Sequence, residues 1–188
     1  EVPGLTVNRN CSSALEAVNF AAKTILVGEG DLAIGSGVES MSRAPWSMMK
    51  PDRVPTTTPP KMWDTTVGWR FNNPKMDEMY PIVSLGEGAE IIAEEMQISR
   101  EDQDSYSLES HTRAIAAIND GKFEDEIIPI SVPQRRGDPV IVDTDEHPRY
   151  EKTDGAYELA IDTESLGKLR PAFKKDGSVT AGNSSGIN

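Results

Sequence analysis

Apolar residues recur at spacings of three and four through Leu15, Val18, Ala21, Ala22, Ile25 and Leu26, so "SSALEAVNFAAKTILVG" predicts an amphipathic helix. Few of its positions are polar, which predicts that it is mostly buried. Gly28 and Gly30 supply the stop. On either side the pattern changes. "LTVN" is a short run with β-branched Thr6 and Val7, and "DLAIGSGVES" is an apolar run ending in small residues. Strand–helix–strand over residues 1–40 reads as a right-handed βαβ unit with parallel strands. Such strands need cover on both faces, which two strands and one helix cannot supply.

From Pro45 to Pro81 the chain is rich in Pro, Met and Trp and shows no sustained period. A stretch of this kind predicts an ordered excursion. Trp46, Trp63, Trp69 and Phe71 call for burial within it, with a partner surface as the competing reading.

Regular patterning returns with a helix over Gly86–Met96 and a second opening at Ser99, where Asp102 three residues on approximates a capping box. Glu101, Asp102 and Asp104 suit its positive end, and Gly121 suits the C′ position after it. "EIIPISV" and "PVIVDTD", joined by "PQRRGD", predict a β-hairpin. The remainder, "LGKLRPAFKKDGSVTAGNSSGIN", is a turn-rich return with a short strand at Ser178–Ala181.

Composition narrows the function classes. With 188 residues, 37% hydrophobic and 27% charged, the chain reads as globular, with room for one domain or one and a half. No apolar run approaches the roughly eighteen residues of a membrane span. The opening "EVPGLTV" lacks a basic n-region, an apolar h-region and a starting Met, so no signal peptide is visible and a fragment is expected. A formal charge of −12 argues against nucleic acid as a partner, though one local basic patch can still hold a phosphate. The lone Cys cannot form an internal disulfide, which predicts a reducing, cytoplasmic location and no disulfide scaffold. No metal is expected.

That cysteine, Cys11, is the chief candidate for chemistry. It falls between a predicted strand and a helix N-terminus, where unpaired N–H groups and the helix dipole favour a thiolate. Ser12, Ser13 and Ala14 leave room for a substrate, as at a nucleophile elbow. A buried, inert Cys is the alternative that local geometry leaves open. A thiol nucleophile needs a base. His111 lies mid-helix in a polar stretch and reads as exposed; His147 precedes Pro148 in an acidic loop. Neither has an orienting partner in sequence, so the base is expected outside this chain.

"VNRNCSSALEAV" followed by "GDLAIGSGVESMSRAP" resembles the thiolases, the acetyl-CoA acetyltransferase and 3-ketoacyl-CoA thiolase family. "SREDQDSYSLESHTRA", "DGKFEDEIIPI", "KLRPAF" and "GSVTAGNSSGIN" are similar to that family in the same order, so the resemblance spans essentially the whole chain. It implies an α/β chain, part of the thiolase fold. Residues 1–40 would be part of the N-terminal domain, the nucleophile βαβ. Residues 41–187 would be the α+β loop domain that binds CoA. The C-terminal thiolase domain would be absent.

The same resemblance implies that Cys11 carries the acyl group as a thioester, in thiolysis of a 3-ketoacyl-CoA or condensation of acetyl-CoA. It places Ser185 near the pantetheine arm, Phe173 and Ala181 along the CoA cleft, and Ser165 at another CoA contact. Leu85 stands where the family has an acyl-pocket Met. Arg149 matches the Arg near the adenine end, with extra residues between it and "KLRPAF". Ala14 replaces a family Gly and adds a methyl near the nucleophile. Coenzyme A, as acyl-CoA substrate, and a homodimer or tetramer are the implied partners; "GLTVNRNCSS" and "GWRF" lean toward the β-oxidation branch. The segments with the activating His and the second Cys are not among these residues, so acylation without turnover is expected of the chain alone. A β-ketoacyl synthase-like enzyme and a non-catalytic CoA-binding or assembly module are the competing readings.

Overall fold

The computed structural model describes residues 2–51, 57 and 59–187. Part of the Pro45–Pro81 excursion (52–56 and 58) and the two terminal residues lie outside the described residues.

The first helix, α1 (Ser13–Leu26), forms where the three-and-four spacing places it. The segments on either side carry no ladder hydrogen bonds, and they do not pair with each other. A strand exists only through a lateral neighbour, and none of the described residues provides one. The second segment nevertheless follows the path expected of it. A Cβ on Gly35 would lie 2.6 Å from the Val18 Cα, and one on Gly37 would lie 2.8 Å from the Ala14 Cβ. Two residues of extended chain advance about 6.6 Å and four residues of helix about 6 Å. The segment therefore runs antiparallel to α1, with its alternate glycines against the helix. Its other face, Leu32, Ile34 and Val38, is 86–96% exposed.

The expectation that α1 is mostly buried is corrected here. None of its residues is buried, and Leu15, Val18, Phe20, Ile25 and Leu26 are all exposed. Helix burial comes from neighbouring elements, and one glycine-rich segment covers only one line of α1. The whole chain exposes 15927 Å², against about 8900 Å² for a compact chain of its mass.

The excursion contains a small antiparallel pair, β1 (Trp46–Met48) and β2 (Met62–Asp64), and a short helix, α2 (Pro74–Met79), capped by the Asn73 side chain. Its aromatic residues are less covered than predicted: Trp46, Trp69 and Phe71 are exposed and Trp63 is half-buried, edge-on to Phe71 with centroids 4.8 Å apart. Trp69 meets its polar requirement by donating from Nε1 to the Val83 carbonyl at 2.7 Å.

The packed part of the molecule is built on α3 (Leu85–Glu95) and α4 (Arg100–Asn119). A capping box between Ser84 and Glu87 starts α3. The Ser99 hydroxyl, accepting from the Asp102 amide, starts α4, and Gly121 at φ 67° ends it. The predicted hairpin forms as β3 (Ile130–Val132) and β4 (Val140–Val142). A second hairpin, β5 (Tyr150–Thr153) and β6 (Ala156–Leu159), and a short helix, α5 (Thr163–Gly167), follow. The strand expected at Ser178–Ala181 reduces to one bridge between Pro171 and Thr180. Among the described residues no helix is long and apolar enough to cross a membrane.

The core is a narrow seam. Ala93, Ile115, Leu166 and Val179 are its buried apolar side chains, and Glu90, Asp104, His111 and Thr180 are buried with them. With so many polar groups inside, position in this seam is set by directional hydrogen bonds as well as by apolar contact.

Candidate functional site

Cys11 sits in a tight turn one residue before Ser12, the N-cap of α1. Asn10 takes φ 51°, a left-handed conformation that Asn tolerates. Its amide donates to the Asn8 side chain at 2.9 Å. The Ser13 hydroxyl accepts from the Arg9 amide at 2.8 Å and donates to the Asn10 carbonyl at 2.7 Å. Arg9 and Glu16 close the turn from outside at 2.9 Å. These local bonds present Cys11 exposed at the surface. The methyl of Ala14 lies against Gly37, so a glycine on the neighbouring segment accommodates the added carbon.

The six other candidate residues lie in or beside the seam. Helix α4 is its spine, and its polar residues grip the C-terminal third of the chain. Gln103 donates to the Ser178 hydroxyl at 2.9 Å, Asp104 accepts from the Asn183 amide group at 2.9 Å, and the Ser107 hydroxyl donates to the Gly182 carbonyl at 2.7 Å. One turn further, His111 Nδ1 accepts from the Arg149 amide at 3.3 Å. At the end of the helix the Asn119 side chain both donates to and accepts from the Tyr157 main chain, at 2.8 and 3.0 Å. Arg100, at the start, pairs with Asp104 at 2.8 Å and donates to the carbonyls of Leu166 and Leu169.

These bonds place the candidates as follows. The Arg149 guanidinium donates to the Ala181 carbonyl at 2.9 Å, so those two residues are brought together. Arg149 and Tyr150 also line an open cleft of about 510 Å³ with Pro148 and Ile161. The Phe173 ring lies on Gly86, the neighbour of Leu85 in the first turn of α3. Leu85 itself is 88% exposed. The Ser165 hydroxyl is engaged at the start of α5, donating to the Asp162 carbonyl at 2.9 Å and accepting from the Asp162 amide at 3.0 Å. Ser185 is exposed.

Cys11 makes no direct contact with this group, but a path joins them. Ile187 lines a cleft with Glu39–Ser42 and Thr66. That segment continues from Gly37, which touches Ala14 three residues after Cys11. The end of the segment bearing Ser185 thus returns toward the Cys11 end of α1.

The histidines differ from expectation. His111 is buried, at 8% exposure, and its ring lies 5.6 Å from that of exposed His147. Its polar sequence neighbours had suggested exposure, but the Arg149 loop covers it. Burial first, then His147 and Arg149, push its pKa below the ordinary 6.5. Both rings are held beside α4 and Arg149.

Glu90, Arg100 and Asn183 are the residues that sequence reasoning passed over, and Asp104, read as a charge at the helix start, is buried. Glu90 is 2% exposed and accepts from the amides of Ser178 and Val179 at 2.9 and 2.8 Å and from the Ser178 hydroxyl at 3.2 Å. Burial pushes its carboxyl up, but those bonds and the nearby Lys174 outweigh it and hold the pKa below the usual 4.5. The available signal was helical phase: Gly86, Glu90 and Ala93 share one stripe, with an acid where an apolar residue belongs.

A family model described as the thiolase N-terminal domain matches residues 1–188. The chain belongs to the thiolase family. This thiolase chain is 49% identical to the beta-ketoadipyl-CoA thiolase of Acinetobacter baylyi over 188 residues, all of this chain and 44% of that protein. It is 41% identical to the acetyl-CoA acetyltransferase of Allochromatium vinosum over 201 aligned positions, again all of this chain and 44% of that protein. The crystal structure of the Bacillus anthracis acetyl-CoA acetyltransferase superposes with a TM-score of 0.75 at 36% identity, covering 96% of this chain and 42% of that one. The thiolase chain therefore spans less than half the length of the relatives it matches.

Proposed function

We propose that this chain is the nucleophile-bearing and CoA-holding part of a thiolase, transferring an acyl group between Cys11 and coenzyme A. The observation that carries the reading is an exposed Cys11 fixed by the Asn8–Ser13 turn at the start of α1, in a chain whose full length matches the thiolase N-terminal domain. In this reading residues 1–40 belong to the N-terminal domain and residues 41–187 form the loop domain. The C-terminal thiolase domain lies outside these 188 residues.

The Cys11 thiolate attacks the 3-keto carbonyl carbon of a 3-ketoacyl-CoA. The bond between C2 and C3 breaks, the departing carbanion takes a proton to become acetyl-CoA, and the acyl group remains on sulfur as a thioester. The thiolate of a second CoA attacks that thioester, releasing acyl-CoA and restoring the Cys11 thiolate. Both thiols must be deprotonated in turn, which requires a base. Leu85 lines the acyl pocket at the end of the CoA cleft, Phe173 and Ala181 line the cleft, Ser185 lies near the pantetheine arm, Ser165 contacts CoA after giving up its bonds to Asp162, and Arg149 meets the nucleotide end. Arg149 fits that role because it spends one N–H on the Ala181 carbonyl and has a planar fork of five donors.

The names of the relatives make β-ketoadipyl-CoA the first substrate to try, with β-oxidation intermediates as the other class. A homodimer or tetramer in the cytoplasm belongs to the same reading. The test is intact-mass spectrometry after incubation with β-ketoadipyl-CoA or acetoacetyl-CoA. One acyl group on wild-type chain and none on Cys11→Ala is the expected result. An unmodified wild-type chain that retains its helical circular dichroism would overturn the reading.

A further inference from the structure

Three side positions on α3, each one turn apart, take hold of a single stretch of chain eighty or so positions later. Gly86 receives the Phe173 ring, Glu90 receives the amides of Ser178 and Val179, and Glu94 pairs with Lys174. The middle contact is the buried one. Glu90 takes three donors from two adjacent residues, and Gly177 is required beside it, because a Cβ there would overlap the carboxylate. Beyond Glu90 the stretch closes on itself: the Thr180 amide donates to the Asn183 side chain at 2.7 Å, and Asn183 donates back to the Ser178 carbonyl at 3.1 Å. Ala181 is left exposed within this closed turn, and exposed Ser185 follows it.

We infer that Glu90 is a positioning residue for the pantetheine arm of coenzyme A, setting the separation between Leu85 at the head of α3 and the 178–185 segment. The inference rests on the reading of these residues as CoA contacts. Leu85 and Glu90 are five positions apart on one rigid helix, about 7.5 Å along its axis. A segment tied to Glu90 is therefore held at a set distance from Leu85. The main chain of Arg149 is anchored apart from Glu90, through His111 on α4, while its guanidinium reaches the same segment at the Ala181 carbonyl. Loss of the Glu90 contact thus disturbs the arm more than the nucleotide end, where Arg149 keeps its main-chain bond to His111. Two ligands separate these effects: coenzyme A, which has the arm, and adenosine 3′,5′-bisphosphate, which lacks it.

The variant is Glu90→Gln, which keeps the volume but turns an N–H₂ group toward amide donors. Titration of the chain by calorimetry is expected to show a Kd for coenzyme A raised about tenfold, the scale of losing charge-assisted bonds. The Kd for the bisphosphate is expected to rise less than about twofold, because Arg149 keeps its main-chain bond to His111, and the rate of Cys11 alkylation by iodoacetamide is expected to stay at its wild-type value. Gly177→Ala, which displaces the carboxylate without removing it, is expected to give the same selective loss and decides the matter where Glu90→Gln does not fold. Unchanged affinity for both ligands, or equal weakening of both, overturns the inference in favour of a purely structural Glu90. Wild-type chain that binds neither ligand overturns the functional reading itself, and this inference with it.

Discussion

The main-chain N–H of Arg149 donates to Nδ1 of His111 at 3.3 Å, and the same residue's guanidinium donates to the Ala181 carbonyl at 2.9 Å. One residue thus bridges α4 and the segment proposed to face CoA. The bond requires His111 to be neutral at Nδ1.

Protonation of His111 removes that acceptor and places a cation beside Arg149 and His147. Because the folded pKa lies below 6.5, the unfolded chain binds this proton more readily. The contribution to stability is complete above 6.5 and is lost as pH falls from there through the folded value. Melting temperature is expected to drop across that window in wild type. His111→Gln, which keeps an acceptor that does not titrate, is expected to flatten that part of the profile.

Arg149→Ala removes the bond to Ala181 and the cation assigned to the nucleotide end. Affinity for coenzyme A is expected to fall about tenfold, with a weaker salt dependence than wild type, since a screened ionic contact is lost. Calorimetric titration at two salt concentrations checks both. Here, in contrast to Glu90→Gln, the bisphosphate is expected to weaken alongside CoA.

Two glycines give opposite outcomes. Gly35→Ala drives a Cβ to 2.6 Å from the Val18 Cα, where neither backbone can yield, and is expected to cost about 1–3 kcal/mol. Gly88→Ala, inside α3 with nothing within 4 Å of its Cβ, is expected to gain roughly 0.5–1 kcal/mol. Urea unfolding followed by circular dichroism measures both.

Cys11 is expected to be acylated once by a 3-ketoacyl-CoA without multiple turnover by these 188 residues. Both histidines are held beside α4 and Arg149, and a positioned acid or base typically supplies about 10²–10⁴-fold. Sustained release of acetyl-CoA, abolished by Cys11→Ala, would show that a base within this chain serves the sulfur.

Much of the local structure was legible. The start of α4 follows from Ser99 with Asp102 three residues on, whereas the Ser84–Glu87 box that starts α3 one residue before the predicted Gly86 was passed over. The Cys11 turn was legible as small residues before a helix start, although the strand expected ahead of it does not form among the described residues. The β5–β6 hairpin was passed over although Asp154 and Gly155 both take positive φ, 51° and 89°, at its turn. Its strands pair Glu151 with Glu158 and Lys152 with Tyr157 and so lack apolar alternation. They are held from outside, by the Asn119 side chain.

Side-chain environment was the part that misled. His111 looked solvated among Ser110, Thr112 and Arg113, and Glu90 looked like one more acid on an acidic helix. Their partners lie 38 and 88 positions away, so no window of neighbouring residues contains them.

By itself the sequence determined the long helices, the start of α4, the β3–β4 hairpin and the family. Each depends on side chains that reach a backbone only a few residues away, or on an ordered set of motifs. The tertiary structure alone decided which charged groups go inside and what they hold. An acid or an imidazole is buried only where distant amides meet its desolvation cost. In this chain those amides belong to Ser178, Val179 and Arg149.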